Sequence, residues 1–179
     1  MSCLFGHTEY YTEYTGSWQV WRKYVCRMPD DLEQAVRAAA AVGLSRRERA
    51  RQIAELVRKT TGRRWVGIYE VRAGQVVNIA WSGPAPPAYP RFPVGQGLTG
   101  KAIETGETVV SNDVSRDPRY LTALESTGSE LIVPIVVGGH VVGTLDIEDE
   151  RTDAFEPDDQ RLFEGVAGEL VPLCVDDAR

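Results

Sequence analysis

The chain has 179 residues with a formal net charge of -6, of which 42% are hydrophobic and 26% charged. That composition belongs to soluble globular proteins and excludes the disordered and collagen-like classes, and the length suits one domain with short extensions. Negative charge opposes binding to nucleic acid or anionic membranes, no apolar run reaches the roughly 18 residues that cross a bilayer, and the N-terminus lacks the basic-then-apolar order of a signal peptide, so a cytoplasmic protein is expected.

Residues 1–27 carry Phe5, Tyr10, Tyr11, Tyr14, Trp18, Trp21 and Tyr24, with a turn-like Thr15-Gly16-Ser17 among them. Two readings stand: a small hairpin, or a poorly ordered leader that includes sequence upstream of a start at Met28. From Met28 the pattern turns helical. Pro29 and Asp30 followed by Glu33 suit a helix start, and Leu32, Val36, Ala39 and Ala40 recur at helical spacing up to Gly43. A second helix opens on the capping-box sequence Ser45-Arg46-Arg47-Glu48, carries Ala50, Ile53, Ala54 and Val57 as its stripe, and closes at Gly62. Its basic cluster, Arg46, Arg47, Arg49 and Arg51, is expected to be a solvated face.

Residues Arg64 to Arg72 and Val76 to Ser82 are rich in β-branched and aromatic types and meet at Ala73-Gly74-Gln75, which predicts a hairpin. The proline-rich segment Gly83 to Pro93 reads as a loop, too poor in donors for a sheet interior. Gly95 to Gly100 opens a short helix that ends at Gly106, followed by a brief strand at Thr108 to Ser111. Asn112 to Thr127 reads as a long loop with one helical turn. Ser129 to Val137 and Val141 to Asp149 form a second predicted hairpin around Gly138-Gly139-His140. Pro157, with Asp158 and Asp159 after it, starts a last helix that turns Leu162, Phe163, Val166 and Leu170 inward. This order predicts an α+β sandwich: an antiparallel sheet with helices gathered on one side.

In the second hairpin, the period-two rule puts Val142, Thr144, Asp146 and Glu148 on one face and Val141, Gly143, Leu145 and Ile147 on the other. Two acids on one partly covered face raise each other's pKa unless a cation or donors compensate, which asks for an amine, a metal ion or an arginine such as Arg91 or Arg119. The alternative is a pair of acids facing water at a strand end. Trp65 and Tyr69, four apart in a strand, share a face and suit either a ligand wall or ordinary core packing, and Trp81 extends either surface. The glycines of Gly95 to Gly100 suit a tight turn before the small helix rather than a phosphate loop, since no Lys-Ser/Thr follows. His7 and His140 have no second histidine at ligand spacing, so neither zinc nor haem is expected. Cys3, Cys26 and Cys174 are far apart, which argues against a disulfide framework and a metal site.

The element order, with VGQGLTGKAIETGETVVSNDVSRDPRY, SELIVPIVVGGHVVGTLDIED and FEPDDQRLFEGVAGEL, resembles the GAF domain family over roughly residues 48–171. The resemblance implies a GAF-like, PAS-related fold, with N- and C-terminal helices on one sheet face and a small-molecule pocket on the other, and a homodimer. The expected organisation is a leader at 1–27, N-terminal helices at 28–62, the GAF domain at 63–173 and a tail at 174–179.

Within that family the chain is most similar to the free methionine-(R)-sulfoxide reductases, through Trp65-Val66-Gly67-Ile68-Tyr69, Ser129-Glu130 and Leu145-Asp146-Ile147-Glu148. That likeness implies a ligand-binding role for Trp65, Tyr69, Glu130, Asp146 and Glu148, with Glu148 where an aspartate is usual. The cysteines of those enzymes have no counterpart in Gly83 to Pro93, at Thr99 or in Pro118 to Gly128, and sulfoxide reduction requires a thiolate to attack sulfur. The expected function is therefore a non-catalytic sensor module for a small amine or amino-acid-like ligand, without cofactor or metal and acting on a separate effector protein. Backbone N–H groups at the start of the Leu98 helix would meet a ligand carboxylate. Two alternatives stay open: a divergent reductase that borrows Cys3 or Cys26, and a dimerisation module with a vestigial pocket.

Overall fold

The computed structural model describes residues 28–121 and 126–175. The hairpin and leader readings of 1–27, together with Cys3, Cys26 and His7, lie outside these residues. Helix α1 (Met28–Ala40) leads into α2 (Arg46–Thr61). The capping box at Ser45 is formed, the Ser45 backbone N–H donating to Glu48 at 3.1 Å and Glu48 N–H to the Ser45 hydroxyl at 3.4 Å. Gly62, at φ 69, supplies the left-handed turn that ends α2.

Six strands follow in one sheet: β1 (Trp65–Arg72), β2 (Gln75–Ser82), β3 (Arg91–Pro93), β4 (Val109–Ser111), β5 (Ser129–Val137) and β6 (His140–Asp149). Their order across the sheet is β3-β2-β1-β6-β5-β4, and every neighbouring pair is antiparallel. Between β3 and β4 lies α3 (Gly97–Thr105), and after β6 come α4 (Pro157–Gly168) and α5 (Val171–Val175). The architecture is the expected α+β sandwich. Ile53, Ala54 and Val57 of α2, with Phe163, Val166 and Leu173 from the C-terminal helices, bury one face of the sheet against Val66, Ile68, Leu145 and Ile147. The opposite face is covered by α3 and the loops, through Leu98 and Ala102 on Ile132.

Arg63 locks the entry to β1. It is 7% exposed, donates to Asp149 at 3.4 Å and to the Ala154 carbonyl at 2.8 Å, pairs with Asp159, and lies 4.7 Å from the Phe155 ring centroid.

Four expectations need correction. The proline-rich loop ends in a strand, β3, which pairs with β2 alone and so takes Pro93 at a sheet edge, where a missing N–H is tolerated. Helix α5 holds both Leu173 and Cys174, so helical structure runs past Leu173, where the tail was expected to start. Val142 does not join Asp146: the β5–β6 register shifts by one residue between Ile135 and Val136, and Val142 packs on the helical core. The basic cluster is not one solvated face, since Arg46 is half-buried and pairs with Glu70 at 2.7 Å, while Arg49 donates to the Ala40 carbonyl at 2.8 Å.

Candidate functional site

The site rests on β6, whose central place lets its neighbours bury both of its faces. Leu145 and Ile147 point into the helical core. Thr144, Asp146 and Glu148 take the other face, as alternation requires. Register then assembles the acids: Glu130 of β5 stands opposite Glu148, and Asp146 stands between Gly67 and Ile132 of the flanking strands. On β1, Trp65 is level with Glu148 and Tyr69 with Thr144. All three acids are buried, Glu148 at 0%, Asp146 at 4% and Glu130 at 5% exposure.

These acids, with Tyr69 and Thr99, line a cavity closed by Tyr89, Phe92, Leu98 and Leu121. It is narrow: the space open to the centre of a water molecule is about 20 Å³, roughly what one water needs. That space is too small for a ligand of amino-acid size with the side chains as they stand.

Hydrogen bonding among the described residues satisfies the acids in part. The Thr99 hydroxyl, in the first turn of α3, donates to Asp146 at 3.3 Å, and the Thr127 hydroxyl donates to Glu148. The second oxygens, Asp146 Oδ1 and Glu148 Oε1, are buried outside hydrogen-bond geometry with any described residue, as is Thr144 Oγ1, whose hydroxyl still lies near enough to Asp146 to favour its charged form. Arg119 is held by Asp117 at 2.6 Å and Arg91 is exposed on β3, so neither supplies the expected cation. The His, Cys, Asp and Glu of the described residues form no metal-binding group.

Burial without compensation raises the proton affinity of the whole cluster. Asp146 is pushed up to about 7 by burial, with the Thr144 hydroxyl and then the Thr99 hydroxyl opposing. Glu148 also rises to about 7, through burial first and the charge of Asp146, against the Thr127 hydrogen bond. Glu130 is driven well above the carboxylate range by burial and then by Glu148 and Asp146. The Tyr69 hydroxyl is raised by burial and by the same three acids, so it stays protonated.

Trp65 stands beside Tyr69, with ring centroids 6.5 Å apart, and donates its indole N–H to the Ala85 carbonyl at 3.1 Å. It braces the cavity wall from behind, and Trp81 packs on the same aromatic cluster. Thr99, Thr127, Tyr89, Phe92, Leu98 and Leu121 complete the site and were not foreseen as its members, since each comes from a loop, a short helix or the three-residue edge strand β3, whose placement has no sequence period. Cys174 lies on the other side of the sheet, within 3.9 Å of the Tyr69 carbonyl, its thiol raised to about 12 by burial.

An antiparallel α+β sandwich with an enclosed, acid-floored pocket is the form of a small-molecule-binding module, and comparison with known proteins agrees. The model of the GAF domain matches residues 45–171, and this chain belongs to the GAF domain family. GAF domain-containing protein A of Dictyostelium discoideum is 27% identical over 100 residues, covering 55% of this chain and 62% of that protein. The free methionine-R-sulfoxide reductase of Saccharomyces cerevisiae is 30% identical over 114 residues, covering 62% of this chain and 63% of the enzyme. The match spans about three fifths of the length of these relatives. Among solved structures, the free methionine-R-sulfoxide reductase from Neisseria meningitidis in complex with its substrate superposes with a TM-score of 0.74. Its identity is 23%, and 90% of this chain and 93% of that one are covered. The fold is thus that of the GAF domains, and no helix among the described residues is long and apolar enough to cross a membrane.

Proposed function

We propose that this chain is a sensor module whose pocket holds a compact amine or amino-acid-like ligand by its ammonium group. The observation that carries this reading is the pair of buried oxygens, Asp146 Oδ1 and Glu148 Oε1, which have no hydrogen-bond partner among the described residues and belong to two acids that line the cavity. A buried polar atom left unpaired is unfavourable by several kcal/mol at most and by about 1 kcal/mol at least, and an ammonium group offers three donors and the missing charge. Tyr69 and Phe92, whose ring centroids lie 6.0 Å apart, would hold the ligand's body. Loop closure over the ligand would carry the signal to a separate effector.

Thermal unfolding against free amines and amino acids, including methionine and both methionine sulfoxide epimers, tests the reading. Ligand at about a hundred times its dissociation constant adds roughly 2.7 kcal/mol of stability, and Asp146→Asn should remove that gain. An unchanged melting temperature with every amine would sink it.

Likeness to the reductases favours a second reading, a divergent sulfoxide reductase. Its thiolate would have to be Cys3 or Cys26, because Cys174 is buried behind the sheet with a thiol that stays protonated. Loss of methionine sulfoxide that depends on reductant and vanishes on Cys3→Ser or Cys26→Ser is the result it requires.

A further inference from the structure

The pocket offers a cation several acceptors, and the question is what it offers the rest of the ligand. A free amino acid carries a carboxylate as well as an ammonium, and a buried carboxylate needs donors or a cation of its own. Among the described residues, no lysine or arginine lines the cavity. Two basic residues on the neighbouring segments are engaged elsewhere: Arg119 is paired with Asp117, whose own charge further raises Glu130, and Lys101 pairs with Glu104 at 2.9 Å on the exposed side of α3.

The first turn of α3 is the remaining anion-friendly feature, because a helix start presents unpaired N–H groups and positive potential. It is already facing an anion of the protein itself. Thr99, the third residue of that helix, donates to Asp146, so the carboxylate of β6 occupies the field a ligand carboxylate would need. The rest of the wall is aromatic or aliphatic, from Tyr69, Tyr89, Phe92, Leu98 and Leu121. Ring faces carry negative potential and favour a cation over an anion.

Resting on the ammonium reading above, we infer that the ligand is a cation without a carboxylate, an amine or guanidinium with an apolar body, and that the pocket rejects free amino acids. A zwitterion would bring no net charge to a chamber of three uncompensated acids. It would also place its carboxylate against Asp146, Glu130 or a ring face. An alkylamine brings the charge and nothing that needs a donor.

Matched pairs that differ only by the carboxylate give the test: leucine against isoamylamine, methionine against 3-(methylthio)propylamine and arginine against agmatine, titrated calorimetrically into the full chain near neutral pH. At least one amine should bind about tenfold or more tightly than its amino acid, as expected when one partner buries a charge without donors, and Glu148→Gln should weaken that amine. 4-Methylpentanoic acid, which keeps the carboxylate and lacks the amine, should not bind. Amino acids that bind as tightly as their amines, or more tightly, would overturn the inference and leave the ammonium reading standing. Failure of every amine and every amino acid would overturn both.

Discussion

Glu130 on β5 and Glu148 on β6 stand directly opposite each other across the ladder, both buried, with no cation from the described residues between them. Like charges in that position destabilise a sheet, and burial raises the proton affinity of both. The sign of the pH effect follows. A carboxylate whose folded pKa is raised contributes stability that is present below its unfolded value and lost as pH rises through the folded one. For Asp146 and Glu148 that loss begins at about pH 4, where the unfolded carboxyls ionise, and is complete just above about 7. Asp149 works the other way: lowered to about 2, chiefly by its hydrogen bond to Arg151, it loses its contribution as pH falls through that value. The ligand-free protein is therefore expected to be most stable near about pH 4 and to lose stability from there up to about pH 7 to 8. Urea titrations across that range check it, and a stability that keeps rising to pH 8 would contradict the assignment.

Asp146→Asn isolates one member of the cluster. The amide keeps the shape and can still accept from Thr99, but it has no charge to desolvate. Asp146 is raised from 3.8 to about 7, and each unit of raised pKa corresponds to about 1.4 kcal/mol, so a gain of up to about 4 kcal/mol is expected at about pH 8 in the absence of ligand, with little change at about pH 4. Equal effects at the two pH values would mean that the substitution acts through packing instead.

Arg63→Met should be severe. It leaves the Ala154 carbonyl and the buried Asp149 carboxylate short of a donor and removes the guanidinium that lies over Phe155. Breaking a buried pair from one side costs about 3–5 kcal/mol. Arg151, which also holds Asp149 at 2.9 Å, will soften this toward the lower end. Denaturant unfolding of the variant is the measurement, and a loss below about 1 kcal/mol would show that Arg151 suffices alone.

Gly67→Ala tests the wall behind the pocket. A Cβ there would come within 2.3 Å of the Trp65 ring and 2.9 Å of the Tyr69 ring, and one at Gly83 within 2.2 Å of Trp65. Overpacking of this kind costs about 1–3 kcal/mol. Because Tyr69 lines the cavity, Gly67→Ala should also shift ligand affinity, whereas Gly83→Ala, which meets Trp65 alone among these two rings, should act on stability first. Tryptophan fluorescence and melting temperature read both.

How much of this could be read from the sequence depends on the periodicity of each part. Asp146 and Glu148, like Trp65 and Tyr69, share a strand face by the period of two, and that period survives folding. It failed at Val142, because a register shift moves the residue off the face and nothing in Val141-Val142-Gly143 announces one. The capping box and Gly62 wrote the bounds of α2 plainly. Arg46 was misread because its partner, Glu70, is distant in sequence and reached only through the packing of α2 and α5 around β1. The threonines that satisfy half of each acid were invisible for the same reason: Thr99 reaches β6 from the first turn of α3 and Thr127 from the loop before β5, and only tertiary structure brings them there.

Ligand binding should itself depend on pH, in the opposite sense to ligand-free stability. An alkylammonium stays protonated well past neutrality, whereas Asp146 and Glu148 ionise around 7. Each group facing Asp146 is acidic or neutral: Glu148 beside it on β6, Glu130 on β5, Tyr69 on β1 and Thr99 on α3. The cavity must therefore release protons as a cation enters, and affinity should rise roughly three- to tenfold per pH unit between about pH 6 and 7.5, then level off. Calorimetry in two buffers of different ionisation enthalpy would count the released protons directly. In Asp146→Asn the slope should flatten along with the loss of affinity. A wild-type affinity that does not change between about pH 6 and 8 would place the cation elsewhere than between these carboxylates.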